Sequence, residues 1–287
     1  MEIEDGAYRL TGEPWEPVAI GGIGGSGTRI VATLLQRLGR VIGDDLNESL
    51  DNLWFTLLFK RRGALLDTDR DFARLCDIFW DRMGGSGGDC PDARARLDAL
   101  AAQDRMKHSS SWLRARVASW LQRPVTLGRP WGWKEPNTHI VVDRLFRMKP
   151  ALRYIHIVRN PLDMALSSNQ NQLEWWGPVL LDRPVIVGPK DALSYNCAVI
   201  RRIRKIAADH GERVCLIDYD RLCREPAESC ETLAGFIGAQ ADADTLEWFS
   251  DAIRRRTPAE GRGREIDRSM LDAGDLEFVA SLGYAIG

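Results

Sequence analysis

The sequence lacks long apolar stretches and any excess of basic residues. Its 287 residues include 39 lysines and arginines against 41 aspartates and glutamates, so the net charge of −2 indicates no general affinity for nucleic acid or for an anionic membrane. No apolar run approaches the length of a bilayer span, and the acidic start, Met-Glu-Ile-Glu-Asp, has no apolar core of a secretory signal. These absences predict a cytoplasmic protein with no integral membrane segment and no nucleic-acid partner.

None of the six cysteines forms a Cys-x-x-Cys pair with another. We therefore interpret them as free thiols of a reducing compartment, and not as a disulfide framework or a zinc site. With 44% hydrophobic residues, a chain of this length suffices for one large α/β domain or for two small ones.

Apolar periodicity divides the chain into strands that alternate with helices. Short buried strands are predicted at 17–20, 131–134, 153–158 and 214–217, with another short one at Val41 and Ile42. Helices are predicted at 48–61 (capped by Asn47), 69–83, 91–103, 110–121, 136–148, 189–209, 226–237, 242–255 and 272–281. The alternation favours an α/β fold with a mostly parallel sheet, helices on both faces and ligands at the carboxyl ends of the strands.

Two segments are predicted to be irregular. Residues 175–188 are hydrophobic but contain proline and glycine, and we expect a long loop there that serves as a lid or a binding loop. The Gly-Ser run at 84–88 is predicted to be a flexible connection.

The most informative stretch is the glycine-rich run at 20–29, Ile-Gly-Gly-Ile-Gly-Gly-Ser-Gly-Thr-Arg. It follows the first buried strand and precedes a helix in which Ile30, Val31 and Leu34 recur at helical spacing. Glycines let the backbone curl with positive φ and leave no side chains in the way. The free N–H groups and the helix N-terminus then point to one place, which suits a phosphate.

Several kinds of phosphate loop fit these residues. The run 22–27 satisfies the G-x-G-x-x-G of dinucleotide-binding proteins, and Asp44-Asp45 follow at about the distance of a ribose-binding carboxylate. The same run spans the G-x-x-x-x-G of nucleoside-triphosphate kinases, but Thr28 and Arg29 stand where the lysine and the magnesium-binding hydroxyl are required. A Rossmann-type enzyme, a kinase and a catalytically silent nucleotide-binding protein therefore remain open as alternatives.

A second anion site is predicted just after the strand at 153–158. Arg159 lies at the carboxyl end of that strand, and Pro161 begins a helix that is expected to carry Ser167. An arginine at a strand end and a hydroxyl on the adjoining helix together suit one more phosphate.

These two motifs together resemble those of the PAPS-dependent sulfotransferases of bacterial type. Gly-Gly-Ser-Gly-Thr-Arg at 24–29 resembles the family's 5′-phosphosulfate loop, and Arg-Asn-Pro-x-Asp-x-x-x-Ser at 159–167 resembles its 3′-phosphate motif. Three further segments are similar to family motifs in the correct order: Lys134-Glu135-Pro136, the stretch from Asp218 to Gly238, and Arg262-Gly263-Arg264.

The resemblance extends over residues 17–287. It implies one sulfotransferase domain over 1–287, with a helical insertion at about 48–121 between the first strand-helix unit and the rest. It also implies a three-layer α/β/α fold with a central parallel sheet, similar to that of the P-loop-containing nucleoside triphosphate hydrolases.

The implied reaction moves the sulfuryl group from PAPS, in line and without a metal, to a hydroxyl or amine, and releases 3′,5′-ADP. By resemblance, Lys134 is assigned to the sulfate or its bridging oxygen. The remaining donor-binding residues are Gly24, Gly25, Ser26, Gly27, Thr28 and Arg29 for the 5′-phosphosulfate, and Arg159, Ser167, Arg262 and Arg264 for the rest of the nucleotide.

One position departs from the family pattern. Many members have lysine or arginine directly before Ser-Gly-Thr, where this sequence has Gly25. The positive charge that neutralises the sulfuryl group must then come from Arg29, Lys134 or another basic residue.

A hydroxyl acceptor also needs a base within hydrogen-bond reach. The candidates are Glu135, Asp45, Glu48, Asp51 and His139, and we favour Asp45, which follows the first helix. Either Trp54, Trp175 and Trp176 line a groove for a sugar, a lipid or an aromatic ring, or they pack into the core. The expected acceptor is a small molecule, a carbohydrate or a lipid.

Overall fold

A four-stranded parallel sheet lies at the centre of the protein. The computed structural model describes residues 16–84, 92–103, 105–122, 128–255 and 261–286. The strands are β1 (Val18–Gly22), β2 (Gly132–Lys134), β3 (Arg153–Val158) and β4 (Val214–Asp218), and they lie in the order β2-β1-β3-β4. Every neighbouring pair is parallel, so all four carboxyl ends lie at one edge of the sheet.

Helices occupy most of the remaining described chain. Their bounds are α1 (Thr28–Arg37), α2 (Leu53–Phe59), α3 (Asp69–Gly84), α4 (Ala93–Ala101), α5 (Ser110–Gln122), α6 (Val142–Met148), α7 (Pro161–Ala165), α8 (Asn171–Leu180), α9 (Pro189–His210), α10 (Tyr219–Arg224), α11 (Pro226–Phe236), α12 (Ala243–Arg254) and α13 (Ala273–Ser281). Within the described ranges, no helix is both long enough and apolar enough to cross a membrane.

The sheet separates two apolar clusters because successive strand residues point to opposite faces. Ala19 packs with Tyr154 on one face, and its neighbours Val18 and Ile20 pack with Ile155 on the other. The first cluster takes in the apolar faces of α2 and α3, and the second takes in those of α1 and α12. The predicted α/β fold with a parallel sheet and helices on both faces is confirmed.

Helices α2 to α5 stand between α1 and β2, in the region of the predicted helical insertion. The helix predicted at 48–61 begins only at Leu53, and its cap is Asn52, which accepts a hydrogen bond from the Phe55 N–H at 2.8 Å. The Asn47 side chain instead accepts from the N–H groups of Ser49 and Asp51, both at 2.9 Å. These bonds close a turn before the helix, so the predicted cap at Asn47 is wrong.

The loop predicted at 175–188 is wrong over residues 175–180, because helix α8 continues to Leu180 despite an internal Pro178. Trp176 on this helix is fully buried, and its indole N–H donates to the Asn137 side chain at 2.8 Å. Gly177 lies close to Leu173 and Val185, so it provides room for close packing. Only residues 181–188 connect α8 to α9.

Two smaller predictions need comment. Val41 forms a single parallel bridge with Trp131, so the short strand predicted at Val41 and Ile42 is reduced to that bridge. Of the Gly-Ser run, residues 85–88 lie outside the described residues.

Candidate active site

The glycine loop connects the carboxyl end of β1 to the first turn of α1. Gly25 and Gly27 have φ angles of 94° and 100°, which favour glycine. The Ser26 N–H donates to the Ile23 carbonyl at 2.9 Å and closes the loop. Ser26 is 1% exposed, and its hydroxyl has no hydrogen-bond partner among the described residues. The loop therefore presents a buried polar atom that a bound anion would satisfy.

Gly27 is the loop position where a side chain is least tolerable. A Cβ atom there would lie 2.2 Å from Cε2 of Tyr219, and the backbone is left-handed. Gly39 provides a matched comparison, because its φ is 82° and a Cβ atom would meet nothing within 4 Å.

We expect Gly27→Ala to lower the free energy of unfolding by about 3 kcal/mol, because overpacking adds to backbone strain. Gly39→Ala should cost about 1 kcal/mol, since only the strain remains. Urea denaturation of both variants measures the difference. Equal losses would mean that Tyr219 moves aside and that the loop is not tightly packed.

Arg159 and Ser167 both lie beside the glycine loop. Arg159 follows β3, its Nη1 donates to the Gly25 carbonyl at 3.2 Å, and its guanidinium lies over the Tyr219 ring at 5.1 Å from the centroid. The Ser167 hydroxyl would be 3.3 Å from a Cβ atom on Gly25. Ser167 lies two residues beyond the end of α7, so the prediction that it sits on the helix is wrong, although it still reaches the loop.

The turn containing Arg262 and Arg264 is held against α7. The N–H groups of Gly261 and Gly263 donate to the two carboxylate oxygens of Asp163, at 3.0 and 2.7 Å. Arg262 and Arg264 are exposed, and Arg264 lines a cavity of about 340 Å³ beyond α7.

Lys134, at the carboxyl end of β2, is 2% exposed. Its ammonium donates to the Ser49 carbonyl at 2.9 Å and forms a short ion pair with Asp51. Arg29, on the first turn of α1, donates to the Ser49 hydroxyl at 2.8 Å. We call residues 47–51 the bridging loop, because it contacts both cations.

The other predicted carboxylates have different partners. Asp45 pairs with Arg116 at 3.1 Å. Glu135 is fully buried, and its oxygens accept from Asn137 and pair with Lys60 at 3.0 Å. Glu135 has no open path to an acceptor, which argues against its predicted role as base. Asp51 is the carboxylate that contacts Lys134.

His139 is buried beneath the site, and its Nε2 lies 3.1 Å from the Gln172 side-chain oxygen. Burial is the main reason that the pKa of His139 is lowered to about 4; the Gln172 hydrogen bond opposes this effect, and the charge of Arg202 adds to it. Gln172 also donates to the Gly22 carbonyl at 3.1 Å. His139 is fully buried and thus belongs to the support of the glycine loop.

An outer groove of about 700 Å³ opens beside the bridging loop. One wall consists of Leu46, Asn47, Glu48, Ser49 and Asp51, while α2 contributes Leu53 and Thr56, and Lys60 follows α2. The opposite wall contains Lys107, His108 and, from α5, Trp112 and Arg116. Ser49 and Asp51, the partners of Lys134, therefore face this groove.

The sequence does not predict the residues of this opposite wall. Lys107 and His108 belong to no motif, and only the fold brings them to the same groove as the bridging loop. Trp54 and Trp176 are buried in the core, and Trp175 is 4% exposed beside a smaller chamber next to the groove. No group of three or more potential metal ligands occurs among the described residues.

Comparison with known proteins gives one family. A sequence profile described as the sulfotransferase family matches residues 17–243. No curated protein matches the sequence.

Solved structures with a similar fold are also described as sulfotransferases. The sulfotransferase domain of the olefin synthase from Synechococcus PCC 7002 is 14% identical, with a TM-score of 0.51 over 96% of this chain and 98% of that chain. A sulfotransferase from Mycobacterium avium is 15% identical, with a TM-score of 0.48 over 95% of this chain and 78% of that chain. The sulfotransferase domain from the curacin biosynthetic pathway is 14% identical, with a TM-score of 0.48 over 96% and 100%.

Proposed function

This chain belongs to the sulfotransferase family, and from that premise we propose that it transfers the sulfuryl group of PAPS to a hydroxyl or amine of its acceptor. Family membership gives the reaction class, sulfuryl transfer by an enzyme. The donor, the roles of the residues and the mechanism are inferred from the geometry of the site.

The observation that carries the donor assignment is the convergence of three anion-binding elements at one edge of the sheet. The glycine loop, Arg159 and Ser167 lie together, with Arg159 bonded to Gly25 at 3.2 Å. PAPS carries a phosphosulfate and a separate 3′-phosphate, so it needs two such sites. The buried, unpartnered Ser26 hydroxyl fits an anion on the loop, and Arg159 with Ser167 fits the second phosphate.

We assign the 5′-phosphosulfate to the N–H groups of Gly24 to Thr28 and to the Ser26 and Thr28 hydroxyls. PAPS, when bound, supplies the sulfuryl group and leaves as 3′,5′-ADP. We also assign Arg264, with Arg262 beside it, to the 3′ side, and the bonds of Asp163 to their turn support this assignment by holding the turn against α7. No metal is invoked in this assignment.

Gly25 brings no charge to the loop, so the cations must come from its surroundings. Arg29 and Lys134 are the two that meet at the bridging loop, through Ser49. Sulfuryl transfer develops charge on the oxygen that leaves, and a preorganised cation in a water-poor site stabilises that charge. Lys134 is almost fully buried, so its ammonium is the better placed of the two.

Asp51 replaces Asp45 as our assignment for the base. Asp51 faces the outer groove and contacts Lys134, whereas Asp45 is paired with Arg116. An acceptor hydroxyl gives its proton to the Asp51 carboxylate while its oxygen forms the new bond to sulfur. The bond from sulfur to the 5′-phosphate oxygen breaks at the same time, and Lys134 stabilises that oxygen.

Replacement of Arg159 tests the donor site. We expect Arg159→Ala to weaken PAP binding at least about tenfold, because a charge-assisted bond of about 1.5 kcal/mol is lost. Arg221→Ala is the matched control, since Arg221 is an exposed arginine that pairs with Glu225 and Glu228 on the surface. Calorimetric titration with PAP measures both variants.

The same titration separates the alternatives. A sulfotransferase binds PAP, a kinase binds ATP with magnesium, and a Rossmann-type enzyme binds NAD. Unchanged PAP affinity in Arg159→Ala would remove the 3′-phosphate assignment. Transfer of label from radioactive PAPS to a panel of acceptors distinguishes an active enzyme from a silent nucleotide-binding protein.

A further inference from the structure

A side chamber of about 140 Å³ lies next to the outer groove, and its polar lining consists of hydrogen-bond donors and amides. Lys60, Lys107 and His108 face it, together with three side-chain amides and the Trp175 ring. No carboxylate is among the described residues that line it. The volume far exceeds the roughly 30 Å³ that a water molecule occupies in the liquid, so the chamber has room for a small polar group.

The side chamber and the outer groove share a wall. Lys60, Lys107 and His108 line both, while Ser49 and Asp51 line the groove alone. A molecule in the groove can therefore place one end at Asp51 and the other end in the chamber.

The lysines keep donors available for a ligand. Lys60 pairs with the buried Glu135 and lies 5.9 Å from the centroid of the Trp175 ring. Burial lowers the pKa of Lys60, but the charge and the hydrogen bond of Glu135, together with the charge of Asp51, outweigh burial and raise that pKa above its ordinary value. An ammonium has three N–H donors, and the described pair with Glu135 uses one of them.

Two cations, Lys60 and Arg105, act on His108 electrostatically. Burial, with smaller contributions from the charges of Lys60 and Arg105, lowers the pKa of His108 to about 4. Its imidazole stacks on Trp112 at 4.5 Å, and its Nδ1 is buried without a partner among the described residues. A neutral histidine in a positive environment suits an anionic ligand.

The backbone at Lys107 is held in an unusual conformation, with a φ of 67°. A left-handed, non-glycine residue costs stability and persists where the surroundings fix it. Lys107 pairs with Glu174 at the rim, and both side chains remain partly exposed, at 36% and 40%.

We propose that the acceptor is a hydroxyl compound that carries an anionic oxygen group. This inference rests on the proposed function, because it names the acceptor class for the same site. The anionic group occupies the side chamber against Lys107, Lys60 and His108, and the hydroxyl lies in the groove at Asp51.

Calorimetry on the PAP-saturated protein tests the chamber with glycerol 3-phosphate and, as the neutral counterpart, glycerol. We expect saturable binding of glycerol 3-phosphate and none of glycerol. Lys107→Met should weaken that binding at least tenfold, because it removes a cation. Glu174→Gln breaks the same ion pair but leaves the lysine, so it should leave the affinity unchanged or raise it.

Three results would overturn the proposal. They are no binding of glycerol 3-phosphate to the wild-type protein, equal binding of glycerol, or equal weakening by Lys107→Met and Glu174→Gln. Unfolding temperatures of the two variants show whether each is folded. Failure of PAP to bind would instead refute the donor assignment, and glycerol 3-phosphate binding that depends on Lys107 would still support the chamber.

Discussion

Lys134→Met is expected to lower the rate of sulfuryl transfer by about 10³-fold, a loss of about 4 kcal/mol of transition-state stabilisation. The ammonium is the most buried cation at the carboxyl edge and contacts the proposed base. PAP affinity should stay within about twofold, because the charge that Lys134 neutralises develops only as the sulfur–oxygen bond breaks. Single-turnover transfer from labelled PAPS, together with calorimetry, measures the two quantities.

Lys149→Met is the matched control for this variant. Lys149 also pairs with an aspartate, Asp77, at 2.7 Å, but it precedes β3 and lies away from the carboxyl edge. We expect it to change the transfer rate little. If Lys134→Met lowered PAP affinity as much as the rate, Lys134 would be a ground-state binding residue.

Asp51→Asn is expected to reduce the transfer rate by about 10²- to 10³-fold, the usual contribution of a positioned base. The amide has nearly the shape of the carboxylate but cannot accept the proton of the acceptor. Asp45→Asn should change the rate by only a few fold, since Asp45 is paired with Arg116 and does not line the groove.

A chemical rescue separates a base from a purely structural role. Formate added to Asp51→Ala should restore part of the rate, because it can occupy the emptied position and accept the proton. A larger loss in Asp45→Asn than in Asp51→Asn would return the assignment to Asp45. A loss of rate in Asp51→Ala that formate does not relieve would mean that Asp51 only positions Lys134 and is not the base.

The placement of the glycine loop beside Arg159 was predictable from local sequence because both follow strands. The glycine loop comes directly after β1 and Arg159 directly after β3, and parallel neighbouring strands bring their carboxyl ends together. Ser167 reached the loop although its helix ended earlier than predicted. When two short motifs each follow a strand of a parallel sheet, the sheet therefore largely sets their positions relative to one another.

The acceptor side was not predictable in the same way. Asparagine is a common helix-capping residue, yet Asn47 closes a turn before the helix. Asn52 caps the helix instead, and the Lys134 ammonium binds Ser49 and Asp51 within the turn. Lys107 and His108 share the outer groove with that turn only because the fold packs together segments far apart in sequence. Such contacts leave no periodic signal.

The loop predicted over residues 175–180, where helix α8 forms, was wrong for a different reason. Gly177 and Pro178 are helix breakers by propensity, but burial of Trp175 and Trp176 favours the helix over a loop. Tertiary packing thus outweighed the local preference of two residues.

The bridging loop links two cations through one residue. Ser49 accepts from Arg29 through its hydroxyl at 2.8 Å and from Lys134 through its carbonyl at 2.9 Å. Each cation keeps N–H donors that these bonds do not use, since a guanidinium has five and an ammonium has three. A shift of Ser49 therefore moves the surroundings of both cations at once, so this turn couples the carboxyl end of β2 to the first turn of α1.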